Sequence, residues 1–541
     1  MQPPLDIWHW SLSLLPIVAL AFLMLQLRWT AQQAGALGIF ITAIIAVLVF
    51  RTPFETLAVS GAKGVWDAVF ILAVIWPALL LYHIMDRSGG YEALRQGITR
   101  MSRNELFILV ALGWVFTSFL QGVDGFGTPI AIVAPLLVAF GVKPIYAVAI
   151  PIIAHIWAKF FGTLGVGWLA TLQLAELDEA TTAAFAFQAA LLISIQAVFG
   201  GFTVVWMYGK WQAVKHGWPL VLIIAGVQGI GQLFTVMLDP VLAAFLPATA
   251  AVLVLFPISR WRRYAEPAPI TERPAMATNA LEVLDEKSPP MGTAMAFFPY
   301  ILLTVVAAGT SLIPALANLL KSWSVGFPFP EVTTAYGVVN EGTEMYSALS
   351  PLSHPGAVVL LTAVVAYLVF RSRGYFAAWE RRSRQSTSLL GGLARTAVPA
   401  SVPIVAFLVL AQMMNHSGQN EVLALGISAV APAYLYAFLA SGVGIVGAFT
   451  TSSSTSSNVL FTDLQVNLAN LKGLPVETVL AAQSAGGAIG NAIAPANILM
   501  GASTTGIVGR EAEIMRKTLP WTVIAFVATG IGTVALALVG G

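Results

Sequence analysis

The sequence predicts an all-α polytopic membrane protein, and three observations carry that expectation. Of 541 residues, 58% are hydrophobic and only 10% are charged, against about 25% charged in soluble domains. Mean hydropathy is +0.82. Apolar windows of about 20 residues, each long enough to cross a hydrocarbon core of roughly 30 Å, recur along the chain. A net charge of +2 matters less than where the 27 Lys and Arg residues fall. The absence of cysteine excludes disulfides and thiolate metal sites. Six histidines form no HxxH or HExxH pattern, so no metal is expected. The start, MQPPLDIWHW, has no basic region and no small-residue cleavage site, so the first apolar stretch reads as a retained helix.

Spans are expected near residues 10–27, 34–50, 65–85, 104–121, 145–161, 183–208, 218–235, 240–257, 294–318, 356–370, 393–414, 422–440 and 519–540. With the irregular regions this makes about 12–14 transmembrane helices. Arginines cluster after residue 86 (Arg87, Arg95, Arg100, Arg103), after Ile258 (Arg260, Arg262, Arg263, Arg273) and after Phe370 (Arg371, Arg373, Arg381, Arg382, Arg384). Arg510, Arg516 and Lys517 follow near the end. Positive charge marks these connections as cytoplasmic. Segments 175–182 and 415–421 carry no Lys or Arg and read as outside, as does the long loop 319–355. Both termini then fall outside. The Pro-rich stretch 265–293 reads as a cytoplasmic linker between an N-terminal half, 1–264, and a C-terminal half, 294–541.

Two regions are apolar yet broken by glycine and proline. From Leu106 to Val142 the only charge is Asp124, within GVDGFGTP. From Val422 to Thr462 there is no charge at all, and Thr450–Asn458 is a run of hydroxyl and amide residues, TTSSSTSSN. Each region reads as a re-entrant hairpin, near 113–140 and near 440–470. Each is followed by an interrupted helix, AHIWAKFFGTLGVGW and AGGAIGNAIAPANILMGAS. The charge-derived topology brings the chain into the first unit from the cytoplasm and into the second from outside, which is the mark of an inverted repeat. Unpaired backbone groups in lipid cost several kcal/mol, so broken helices survive only inside protein or beside water. Half-helix N-termini expose free N–H groups with a partial charge of about +0.5. Two such ends near the midplane make an anion cradle, as in secondary transporters.

The candidate substrate-binding residues are therefore Gly122, Gly125, Gly127 and Thr128 at the first tip, and Thr451, Ser452, Ser453, Ser454, Thr455, Ser456 and Asn458 at the second. Lys159 is the one fixed charge between Lys143 and Glu176 and could bind a carboxylate, pair with Asp124 or snorkel to an interface. Asn491 and Asn497, in the unwound turn GNAIAPAN, could bind a hydroxyl or carboxylate or could join helices; Gln483 shares that choice. Asp124 is a proton-coupling candidate because carboxylates at membrane depth are functional by default. His155 is the second, since imidazole titrates near neutral pH.

These segments resemble the bacterial L-lactate permease family. The resemblance rests on AVIWPALLLYHIMDRSGG (73–90), SFLQGVDGFGTPIAIVAPLLVAFG (118–141), PIIAHIWAKFFGTLG (151–165), GAFTTSSSTSSNVLF and SAGGAIGNAIAPANI. It implies proton-coupled uptake of lactate, glycolate or a related 2-hydroxymonocarboxylate, in a multi-pass protein of the bacterial cytoplasmic membrane. It further implies the broader ion transporter superfamily, with inverted repeats, scaffold and transport domains and often a homodimer. No cofactor is expected beyond the co-transported proton, and no nucleic acid. Sodium coupling stays open, because relatives bind Na⁺ at Ser-Asn-Thr tips, although Asp124 departs from that pattern. Neither a Ser/His pair with protease spacing nor a DxxD-like cluster occurs, which argues against an intramembrane enzyme. A channel stays open as a third reading.

Overall fold

A computed structural model describes residues 4–27, 29–123, 125, 127–277, 291–377, 379 and 388–540. Asp124, a proposed proton carrier, lies outside the described residues, as does the part of the expected linker at 278–290.

Nine helices among the described residues are long and apolar enough to cross a membrane. The apolar helices Thr128–Ala139, Pro144–Ala154 and Phe245–Ser259 are shorter. The two spans expected at 183–208 and 218–235 form one helical run, Glu179–Val236, broken only at Gly209 and Lys210. Lys210 takes a positive φ of 50° there, so the chain turns without a loop. Conversely, the span expected at 422–440 is split into Gln419–Val430 and Ala433–Thr451. Pro432 causes the split, because it lacks an amide donor and disfavours helix in the residue before it. The segment 319–355, expected to be an outside loop, is not a plain loop. It carries two small antiparallel pairs, Val325–Phe329 with Thr343–Leu349 and Val332–Thr333 with Val339–Asn340.

The same order of elements occurs twice. A long helix (Phe54–Ser88 or Leu389–His416) leads to a short one (Gly90–Thr99 or Gln419–Val430). A hairpin follows, then a broken helix, then a long helix (the run from Glu179, or Glu511–Gly540). The first hairpin has arms Glu105–Val123 and Thr128–Ala139; the second has arms Ala433–Thr451 and Ser454–Lys472. The broken helices are Pro144–Ala154 with Gly162–Ala175, and Val476–Gly490 with Pro495–Thr504.

The halves exchange partners. The second arm of the first hairpin packs on Pro495–Thr504, and the second arm of the second hairpin packs on Gly162–Ala175. Likewise Pro144–Ala154 packs on Glu511–Gly540, while Val476–Gly490 packs on the Glu179–Val236 run. Equivalent elements thus make equivalent contacts across the halves, as an approximate twofold relation requires. Phe54–Ser88, Leu389–His416, Ala31–Leu48 and Pro355–Ser372 form a second packed group.

Burial explains why the irregular backbone is tolerated. Every residue of Glu105–Val123 is buried, although it contains a π-helical stretch, Ala111–Phe116. Thr117 stabilises that stretch by donating to the carbonyls of Leu112 at 3.1 Å and Gly113 at 2.9 Å. Ile7–Leu25 and Glu511–Gly540 instead leave most of their surface open, the pattern of helices facing lipid. The described part of the linker is bound to the first hairpin. Lys143 donates its backbone N–H to Ala275 and its Nζ to Pro274, Met276 bridges Val142, and Arg273 pairs with Glu105 at 2.6 Å.

Candidate functional site: two hairpin tips facing one cavity

Both tips are breaks in helices. At the first, Gly127 has φ +86° and Pro129 follows at the start of the next helix, where its missing N–H costs nothing. Gly125 is forced by contact: a Cβ there would lie 2.2 Å from Thr163 Oγ1 and 2.3 Å from Gln121 Nε2. At the second tip Ser452 takes the left-handed conformation (φ +55°) and Ser453 caps the following helix, its Oγ accepting from the Ser456 N–H at 3.1 Å. Thr451 donates to Gly447 O at 2.7 Å, which ties the tip to its own arm.

The broken helices meet the tips. Ser452 Oγ accepts from the N–H of Ala496 at 3.2 Å, and Asn497 Nδ2 donates to Asn491 Oδ1 at 2.8 Å. In the first half, Thr163, Leu164 and Gly165 all have positive φ, at 52°, 53° and 75°. Such conformations in a β-branched and a bulky residue cost on the order of 1–3 kcal/mol each and mark places the surrounding structure holds for a purpose.

These elements enclose a cavity of 1020 Å³. Of the residues expected from sequence, Gly125, Gly127, Thr128, Lys159, Thr451, Ser452, Ser453, Ser454, Thr455, Asn491 and Asn497 line it. Five others sit elsewhere. Gly122 is buried where a Cβ would come within 2.9 Å of the Phe245 backbone, so it serves close packing. Ser456 is buried behind the cap. Asn458 is fully buried, with neither amide atom hydrogen-bonded among the described residues. His155 is buried beside the helix break, bonded through Nδ1 to the Pro151 carbonyl, with Nε2 unpartnered among the described residues. Gln483 joins a buried network with Ser457 and Gln465 instead of the cavity.

Lys159 is 8% exposed and lines the cavity. None of its hydrogen bonds or ion pairs is to a described residue. Hydroxyls, amides and helix N-termini share this lining with a larger apolar surface, and an ammonium beside such groups attracts anions. Further lining residues were not evident from the sequence: Gln121 and Thr163 beside the first tip, and Tyr82, Arg395 and Thr396 from the second packed group of helices. Gln121 directly precedes the glycine cluster and could have been found there. Nothing local marks the other group, which reaches the cavity only through long-range packing.

The fold and cavity define a helical multi-pass membrane protein with a largely apolar chamber that holds polar groups at two hairpin tips. The sequence profile of the L-lactate permease family matches residues 11–540, and the chain belongs to that family. It is 26% identical to the glycolate permease GlcA of Escherichia coli (strain K12), covering 97% of this chain and 95% of that one. It is 28% identical to the L-lactate permease of Halalkalibacterium halodurans, covering 97% and 96%. With the L-lactate permease of Escherichia coli (strain K12) it shares 26% identity over 99% and 98%. Among solved structures, the YdaH transporter of Alcanivorax borkumensis aligns over 87% of this chain and 86% of its own with a TM-score of 0.43 and 14% identity.

Proposed function

We propose that the protein is a proton-coupled symporter of L-lactate or a closely related 2-hydroxymonocarboxylate such as glycolate, in the bacterial cytoplasmic membrane. One observation carries this reading: both hairpin tips and the lone Lys159 ammonium line a single cavity. The carboxylate of the substrate sits against Lys159 and the free N–H groups of the tips. The 2-hydroxyl bonds the Ser/Thr cluster or Asn497. Family membership and the names of the relatives support the substrate class. Gly509 and Glu511, which line the cavity, flank Arg510 in a connection that positive charge assigns to the cytoplasm, which supports a chamber that faces inward. One proton with one monoanion makes the cycle electroneutral. Asp124 and His155 are the proton carriers nearest the tips in sequence.

The test is uptake of labelled L-lactate, D-lactate and glycolate into proteoliposomes, with an imposed pH gradient and with Na⁺ present or absent. Saturable accumulation driven by the pH gradient without Na⁺ is expected. Dependence on Na⁺ at fixed pH gradient would replace the proton with sodium, and non-saturable flux would make the protein a channel.

A further inference from the structure

Gln121 directly precedes the glycine cluster of the first tip and lines the cavity. It is 2% exposed, and its Oε1 is fully enclosed without a hydrogen bond among the described residues. No hydrogen bond joins its Nε2 to a described residue either. Gln228 and Asn458 are also unpaired at both amide atoms, but neither lines the cavity. Among the described residues Gln121 is the only side chain that both lines the cavity and keeps an enclosed polar atom without a hydrogen bond. Native proteins keep few buried polar groups in that condition, because each is costly.

The fold makes room for this amide. An ideal Cβ at Gly125 would lie 2.3 Å from Gln121 Nε2, and one at Gly162 would lie 2.8 Å from the same atom. Two glycines from different elements, the tip and the helix break, thus leave the space that the amide fills. Gly125, Gly162 and Thr163 all line the cavity, so the amide nitrogen stands at its wall. The arm that carries Gln121 is held in place: Trp157 Nε1 donates to Ser118 Oγ at 2.9 Å, which ties the arm to the break that carries Lys159. The amide is therefore positioned by packing, with its hydrogen-bonding capacity unspent.

Both tips lie within reach of one small acid. The helix Pro495–Thr504 touches each of them: Ala496 donates its N–H to Ser452 Oγ at 3.2 Å, and Met500 lies 2.4 Å from where a Cβ of Gly127 would stand. At about 1.5 Å of rise per residue, Ala496 and Met500 are about 6 Å apart along that helix. Two hydrogen bonds of about 2.8–3.0 Å that meet at one oxygen span a similar distance. A hydroxyl has one proton to give and two lone pairs to offer. The 2-hydroxyl of a bound acid can therefore donate to the second tip and accept from Gln121 at once.

We propose that Gln121 is a specificity residue of the anion site: its Nε2 donates to the 2-hydroxyl oxygen, so that 2-hydroxy acids are selected over the same acids without the hydroxyl. This rests on the 2-hydroxymonocarboxylate reading above. The carboxylate stays with Lys159 and the N–H groups of the tips, so charge and hydroxyl are read by different groups. An acid without the 2-oxygen leaves the amide unpaired in an enclosed site, which is how such sites reject analogues.

The test measures inhibition of labelled L-lactate uptake by unlabelled L-lactate and by propionate, which is lactate without its 2-hydroxyl. Wild type, Gln121→Met and Gln121→Asn are compared in proteoliposomes, and the ratio of the two inhibition constants does not depend on how much protein inserts. Wild type is expected to favour L-lactate by about tenfold or more. Gln121→Met keeps the length of the side chain and removes both polar atoms. Its ratio should narrow by about fivefold or more, through weaker L-lactate with propionate held within about twofold. Gln121→Asn sets the amide one methylene back and should narrow the ratio as well, and it decides the matter if the methionine variant does not insert. An unchanged ratio in the variants would overturn the proposal. So would an equal loss for both acids, which would make the amide a carboxylate contact, or failure of both variants to insert, which would make it structural. A wild type that takes up L-lactate without favouring it over propionate would overturn the proposal and leave the lactate reading standing. A wild type that takes up neither L-lactate nor glycolate would overturn that reading itself.

Discussion

Lys159→Met separates binding from folding with opposite signs. The ammonium is enclosed, lines the cavity and meets no described partner. A cation in such a place costs about 2.5–3.5 kcal/mol on membrane-insertion scales. Methionine keeps the length of the side chain and removes that cost, so the substrate-free variant should be as stable as wild type or more so. The substrate loses a charge-assisted contact, worth roughly 1.5–3 kcal/mol net. At about 1.4 kcal/mol per decade, affinity for L-lactate should fall on the order of 10- to 150-fold. Both quantities come from one assay, thermal unfolding of detergent-solubilised protein over a lactate titration. The expected pattern is an unchanged or raised midpoint without lactate and a stabilisation curve displaced to higher concentration. Unaltered lactate affinity, or a steep loss of stability without ligand, would make Lys159 a structural residue and remove it from the anion site.

Other outcomes follow from the tips. Gly125→Ala puts a Cβ 2.2 Å from Thr163 Oγ1, so uptake should be lost while the protein still inserts, measured by transport beside membrane abundance. Gly127→Ala meets Met500 at 2.4 Å and holds φ +86°; pairing it with Met500→Ala should relieve the clash but leave the backbone strain, giving partial recovery of transport. Ser453→Ala removes a helix cap and should cost about 0.5–2 kcal/mol, read as a lower unfolding midpoint. Arg273→Ala removes the linker's tie to the first arm of the first hairpin, and amide exchange over 105–116 should quicken; unchanged protection would show that Tyr208, which donates to Glu105 at 3.1 Å, suffices.

Both hairpins were legible because an apolar run broken by glycine, proline and hydroxyl residues has few uses at membrane depth. The tips fell at Gly125–Thr128 and Ser452–Ser453, where those residues had placed them. Boundaries failed where local signals misled. Gly209 and Lys210 turn the chain inside a helical run with no proline to announce it, and Pro432 cuts a span that hydropathy alone joins. The small strands of 325–349 were hidden because pairs this short depend on their packing against Phe54–Ser88 more than on pattern. Within the cavity, Tyr82, Arg395 and Thr396 come from helices whose sequences are ordinary for lipid-spanning segments. Asp67 stood in plain view inside an expected span, and Asp463 lay one residue beyond the uncharged stretch. Both are buried in the fold, which the sequence pattern does not announce.

The chain has no cysteine, so single thiols can be introduced at both tips without background. Thr128→Cys and Thr455→Cys, each labelled by a small charged maleimide in inside-out vesicles, report directly on whether the two tips share one substrate. L-lactate should slow labelling at both positions, with the same half-maximal concentration. Protection at one tip alone, or at neither, would mean that the tips do not jointly hold the anion.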